Sequence, residues 1–213
     1  NKFFISFIDT FIRHKDILWY RTIAQLKSES RQNYLGYIWF FAEPALLTLT
    51  LYLVFGFILE NRGSDFIIFL LTGLTVWQWF ESSINEGLMG IKSKLHIMHQ
   101  VPLPKYIFPI VHVLVTSWKF ICIFTVILFF SYIFGFSPTL NYLYLPILFI
   151  TNLLLVIGLV LPLAVATAYY SDIAKIVSAL LRLLFYLSGV FFSTDIIPEN
   201  LLKFFFLNPV ACL

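Results

Sequence analysis

The stretch "FICIFTVILFFSYIFGFSPTLNYLYLPILFITNLLLVIGLVLPLAVATAYYS" (120–171) contains no charged residue. Crossing roughly 30 Å of hydrocarbon takes about 20 apolar residues in a helix. The run is too long for one crossing and long enough for two. Its middle, "FGFSPTLN" (134–141), carries the glycine, proline and asparagine of a turn. Extended to the nearest boundaries, the pattern predicts one span over about Tyr106 to Phe134 and another over about Tyr142 to Tyr169. Both must be helices, because lone strands leave backbone amides and carbonyls unpaired in lipid.

Three further segments pass the same test: about Tyr37 to Leu59, about Phe66 to Leu88, and about Ile173 to Phe192. The predicted fold is therefore an all-α integral membrane protein, a single domain with five spans between residues 37 and 192. Composition agrees. Hydrophobic residues make up 60% of the 213, charged residues 12%, and mean hydropathy is +0.90, which no soluble domain of this size could bury. The net charge of +3 is too small and scattered for a nucleic-acid partner. Cys122 and Cys212 have no zinc or redox spacing and read as packing residues.

Orientation follows from the Lys and Arg counts. With the N-terminus cytoplasmic, segments 1–36 and 89–105 and the 170–175 turn lie inside and carry ten basic residues. Segments 60–65, 135–141 and 193–213 lie outside and carry two, Arg62 and Lys203. The stretch 3–19 places apolar residues at 4, 7, 8, 11 and 12, which suits a helix lying in the membrane surface, followed by a cytoplasmic linker to residue 36. Charges interrupt that apolar run and no small-residue cleavage site follows, so it is not a signal peptide. The tail "STDIIPENLLKFFFLNPVACL" (193–213) has Pro198 and Glu199 near a helix start and Asn208-Pro209 as a stop. A short amphipathic helix at the outer interface, or a plain loop, fits it. The apolar end of the chain leads to the expectation of a sixth span beyond it.

Catalytic motifs are missing: there is no HExxH, CxxC or GxSxG, and no pair of carboxylates at helical spacing within a span. His96 and His99 are three apart without a third ligand nearby, and read as a polar helix face rather than a metal site. No GxxxxGK[ST] loop is present. If the chain pumps, a separate ATPase carries the ATP and Mg, and no cofactor belongs to this chain. The segment "IKSKLHIMHQV" (91–101) offers such a motor a contact. It sets Ile91, Leu95 and Met98 on one face among Lys92, Lys94, His96 and His99, and Pro102, Pro104 and Pro109 stiffen the return. A loop helix lying on lipid fits the same pattern.

Polar groups inside the spans come next. Arg182 lies about nine residues into the fifth span, where an unpaired arginine costs at least about 2.5 kcal/mol. Ser178, Arg182, Phe185, Tyr186, Gly189 and Phe192 share one side of that helix. Lys119 is comparably deep, and Glu43 begins the first span. These groups read either as a pathway or as a structural ion pair. A stripe of Tyr34, Tyr37, Phe41, Thr48, Tyr52 and Phe55 runs along the first span. Aromatic faces stack on sugar rings, so the stripe suits a carbohydrate path as well as ordinary packing.

The runs "RQNYLGYIWFFAEPALLTLTLYLVFG" (31–56), "LLTGLTVWQWF" (70–80), "VPLPKYIFP" (101–109) and "LSGVFFSTDIIPENLLKFFFLNPV" (187–210) together resemble the permease subunits of polysaccharide ABC exporters, the O-antigen, capsule and teichoic-acid group. The resemblance implies an interfacial N-terminal helix, six spans, and two short re-entrant helices before the sixth. It also implies a homodimer working with two cytoplasmic ATP-binding cassette subunits in a bacterial inner membrane, moving lipid-linked polysaccharide outward. Carried over by position, 91–101 becomes the coupling helix and 194–210 the outer gate. Rival readings are a drug or small-lipid permease, a membrane-embedded glycan-lipid enzyme, and a secondary transporter. The last would show internal repeats, and the sequence displays no clear one.

Overall fold

A computed structural model describes residues 14–32, 38–53, 64–94, 104–133 and 140–188. Among these the chain forms six α-helices and no strand. They are α1 (Lys15–Gln32), α2 (Ile38–Tyr52), α3 (Ser64–Met89), α4 (Ile107–Ile133), α5 (Leu145–Tyr169) and α6 (Asp172–Tyr186). Short 3-10 turns occupy Lys92–Lys94 and Leu140–Tyr144.

The charge-free stretch becomes α4 and α5, of 27 and 25 residues, each long and apolar enough to cross a bilayer. Their outward faces carry Phe129, Phe130, Leu154 and Val165, all exposed, as hydrocarbon solvent permits. The second span corresponds to α3, of 26 residues. Helices α2 and α6 have 15 residues each, about 22 Å at 1.5 Å per residue. Helix α6 stops at Tyr186, six residues short of the span read from sequence, and the residues after 188 lie outside those described.

The N-terminal helix extends through residues read as a linker. The helix seen is α1, covering much of the segment read as a linker, while residues 3–13 of the expected interfacial helix lie outside the described residues. Its buried stripe is Leu18, Thr22 and Leu26, spaced by four. Thr22 hides this stripe from a search for apolar residues. Its hydroxyl donates to the Leu18 carbonyl at 2.7 Å, so the side chain buries without an unmet group. Leu18 and Leu26 pack on Ile107, Ile110, Val111 and Val115 of α4.

Helix α3 is the hub. Leu70, Leu74, Trp77, Phe80, Ile84 and Leu88 meet Val113 of α4, Val156 and Val160 of α5 and Leu181 of α6 in one cluster. Lipid tails are as apolar as leucine, so helices in a membrane are joined by close packing and polar contacts rather than by escape from water. Both devices are present. The buried side of α5 runs through Asn152, Val156, Val160, Ala164 and Thr167, and Gly87 of α3 sits against Val160. Ser83 and Thr116 share a hydrogen bond at 2.7 Å, and Trp79 Nε1 donates to Ser117 Oγ at 3.2 Å, joining α3 to α4. Ser178 Oγ donates to Asn85 Oδ1 at 2.7 Å, joining α6 to α3. Cys122, read as a packing residue, is exposed on α4 instead, and Cys212 lies outside the described residues.

Candidate functional site

The segment after α3 begins with a seat. A Cβ placed at Gly90 would come within 2.9 Å of the Pro109 backbone, so only glycine allows this approach. Ile91 follows and is buried, 6% exposed. It therefore anchors the turn and does not share an outward face with Lys92, which is exposed. Lys92 Nζ donates to Ser171 Oγ at 2.7 Å, reaching the residue that precedes α6. Lys94 closes the 3-10 turn. Leu95, His96, Met98 and His99 lie outside the described residues.

Lys119 has a partner. Its ammonium meets Glu29 Oε2 of α1 at 2.6 Å and lies 4.0 Å from Glu86 Oε1 of α3. Glu86 Oε2 in turn lies 3.8 Å from His112 Nδ1 of α4. The Lys119 and Glu29 side chains are only 18% and 25% exposed, so water screens this pair less than a surface bridge. Of the two readings offered for Lys119, the structure shows the ion pair. Three helices thus meet at one ammonium group, with α1 held most tightly. Neither Glu29 nor Glu86 was singled out from sequence. The polar run "ESSINEG" (81–87) closing the second span was the available signal for Glu86.

The expected face of α6 divides in two. Ser178 turns inward to Asn85, and the Phe185 ring lies 5.4 Å from Trp77. Arg182 and Tyr186 turn outward and are exposed, and no carboxylate among the described residues pairs with Arg182. Tyr186 keeps contact with Phe185 at 5.4 Å. Ile176, Leu180, Leu183 and Leu187 are exposed on the same helix. Among the described residues of one chain, α6 therefore keeps a broad exposed face that is cationic along one edge and apolar along the other. Gly189 and Phe192 lie outside the described residues.

The aromatic stripe is only partly in view. Phe41 is exposed and lines a cavity with Trp19 and Trp118. Tyr52 ends α2, while Tyr34, Tyr37 and Phe55 lie outside the described residues. So do the gate residues Pro198, Glu199, Asn208 and Pro209. A second cavity, of about 820 Å³, lies among α3, α4 and α5. Trp79, Phe120 and Phe149 stack on one another along its wall, with centroids 4.7–5.7 Å apart. These rings spend their faces on each other, which suits packing more than sugar binding.

A comparison with protein families places this helical arrangement. The family described as ABC-2 type transporter matches residues 17–213. The chain belongs to the ABC-2 type transporter membrane family. Relatives within it include an O-antigen export system permease protein of Klebsiella pneumoniae, 27% identical over 92% of this chain and 76% of that protein. Another O-antigen export system permease protein, from Myxococcus xanthus, is 26% identical over 89% of this chain and 74% of its own length. A polysialic acid transport protein of Escherichia coli is 24% identical over the same shares. ABC-2 membrane components are transporter parts, so the aligned helices, rather than a catalytic centre, are where function is to be sought.

Proposed function

We propose that this chain is the permease subunit of an ATP-driven exporter that moves lipid-linked polysaccharide across the bacterial inner membrane. The observation that carries the reading is the family match over residues 17–213, joined to relatives named for O-antigen and polysialic acid export. Two copies of the chain form the path, and two separate ATP-binding cassette subunits supply the work. The uncovered face of α6, with Arg182 and Tyr186 exposed beside an apolar strip, supports pairing of copies there. Arg182 then faces a space between subunits, where a guanidinium suits the phosphate of a lipid carrier.

The N-terminus lies in the cytoplasm, following the basic bias of segments 1–36 and 89–105. Residues 91–101 receive the motor's push: exposed Lys92 faces outward and Ile91 is the inner anchor, and Lys94, Leu95, His96, Met98 and His99 complete the contact segment. Tyr34, Tyr37, Phe41, Tyr52, Phe55, Arg182, Phe185 and Tyr186 serve the path, and Pro198, Glu199, Asn208 and Pro209 the outer gate. The test is co-purification with the ATPase subunit and assay of ATP hydrolysis with added lipid-linked glycan. Stimulation by the glycan is expected. Hydrolysis indifferent to glycan, or transport by the chain alone without nucleotide, overturns the reading.

A further inference from the structure

A cavity of about 650 Å³ lies where α1 crosses α4, a size suited to a small-molecule or lipid-chain site. Ile23, Leu26, Leu114, Ile121, Phe149 and Leu153 give it an apolar wall. Two hydroxyls also line it, those of Thr22 and Ser117. Both donate to carbonyls of their own helices, Leu18 and Val113, at 2.7 Å each. The wall is thus poor in groups to satisfy a peptide backbone, and accepts a hydrocarbon chain at no such cost.

The charged residues lining the cavity are Lys27 and Lys119. Lys119 is held by Glu29, whereas Lys27 is exposed and no carboxylate among the described residues pairs with it. Helix α1 as a whole carries Lys15, Arg21, Lys27 and Arg31 against Asp16 and Glu29. Trp19 and Trp118 border the cavity edge to face, 6.3 Å between centroids, and each is about half exposed. Tryptophan gathers where hydrocarbon meets headgroups. The cavity thus combines an apolar wall, a tryptophan pair and a cation with no carboxylate partner among the described residues, the three kinds of surface that a lipid's tail, glycerol and phosphate call for.

We infer that this cavity binds one acyl chain of an anionic phospholipid, its chain against the apolar wall between α1 and α4 and its phosphate at Lys27. The inference rests on the membrane-permease reading. A chain seated there keeps water from the neighbouring Lys119–Glu29 pair and so tightens the hold of α1 on α4. Basic pockets between membrane helices recognise anionic headgroups in this way.

The test uses the full chain with its ATPase subunit in detergent, offered phosphatidylglycerol and phosphatidylcholine with identical acyl chains and read by native mass spectrometry. One lysine at an anionic headgroup gives about a fivefold preference for phosphatidylglycerol. Lys27→Gln brings that preference close to one, and Lys27→Arg keeps it. Ile23→Trp, which fills the cavity, removes retention of both lipids, with thermal unfolding as the control for folding. Equal retention of the two lipids by the unaltered protein overturns the site, as does a preference that Lys27→Gln leaves in place. Stoichiometric displacement by polyprenyl phosphate also overturns it, assigning the cavity to the carrier instead. Any of these results alongside intact glycan-stimulated hydrolysis leaves the exporter reading standing.

Discussion

Adding one methyl group at Gly87 tests whether close contact between α3 and α5 holds the bundle together. A Cβ there would lie 2.5 Å from Val160 Cγ1 and 3.1 Å from Cγ2, but 3.4 Å from Val160 Cβ. The first distance is 0.9 Å short of an ordinary 3.4 Å contact. Val160 is 1% exposed and inside a helix, where valine strongly prefers one rotamer, so it cannot swing aside cheaply. Either the helices part or the side chain leaves its well, and overpacking of this kind costs about 1–3 kcal/mol. Val160→Ala deletes both clashing carbons and leaves the one already at contact distance. Alone, it costs about 1–2 kcal/mol for the lost packing. The pair Gly87→Ala with Val160→Ala should be about as stable as Val160→Ala alone, a coupling of at least about 1 kcal/mol. Equilibrium unfolding in mixed micelles, followed by tryptophan fluorescence, measures all four proteins. Simple additivity in the double variant, or no effect of Gly87→Ala, refutes the argument.

Two further outcomes follow from the charged groups. Glu29→Gln and Lys119→Met should each destabilise by about 1–3 kcal/mol, between the costs of breaking exposed and buried pairs. The reversal Glu29→Lys with Lys119→Glu should recover part of that in the same unfolding assay, and a reversal no better than the single variants removes the pair from the account. Arg182→Ala should impair glycan export in a complementation assay while leaving dimer assembly, read by cross-linking, unchanged. Unaltered export removes Arg182 from the path.

Long apolar runs spoke clearly. The spans expected over Tyr106 to Phe134 and Tyr142 to Tyr169 correspond to α4 and α5 within a few residues, because a charge-free run of that length has few other solutions. The extent of helix α1 was hidden because one of the three residues in its buried stripe is a threonine that satisfies itself. The partner of Lys119 was illegible for another reason: Glu29 is 90 positions away, and nothing local marks which acid will fold onto which base. Helix α6 showed the limit of periodicity. Residues sharing a helical side in sequence were split by the real packing direction, with Phe185 inward and Arg182 outward. Much of the stripe of the first span and the whole gate fall outside the described residues.

The seat of Gly90 on Pro109 has a mechanical corollary. Residues 91 to 108 leave and return at a single point, where α3 and α4 touch backbone to backbone. A pull transmitted to this point would move the end of α3 and the start of α4 together, as a handle bolted down at both feet would, rather than prying them apart. Lengthening or shortening the grip should then change leverage but not direction, whereas loosening the bolt, by any side chain at position 90, would let the handle turn without moving the door.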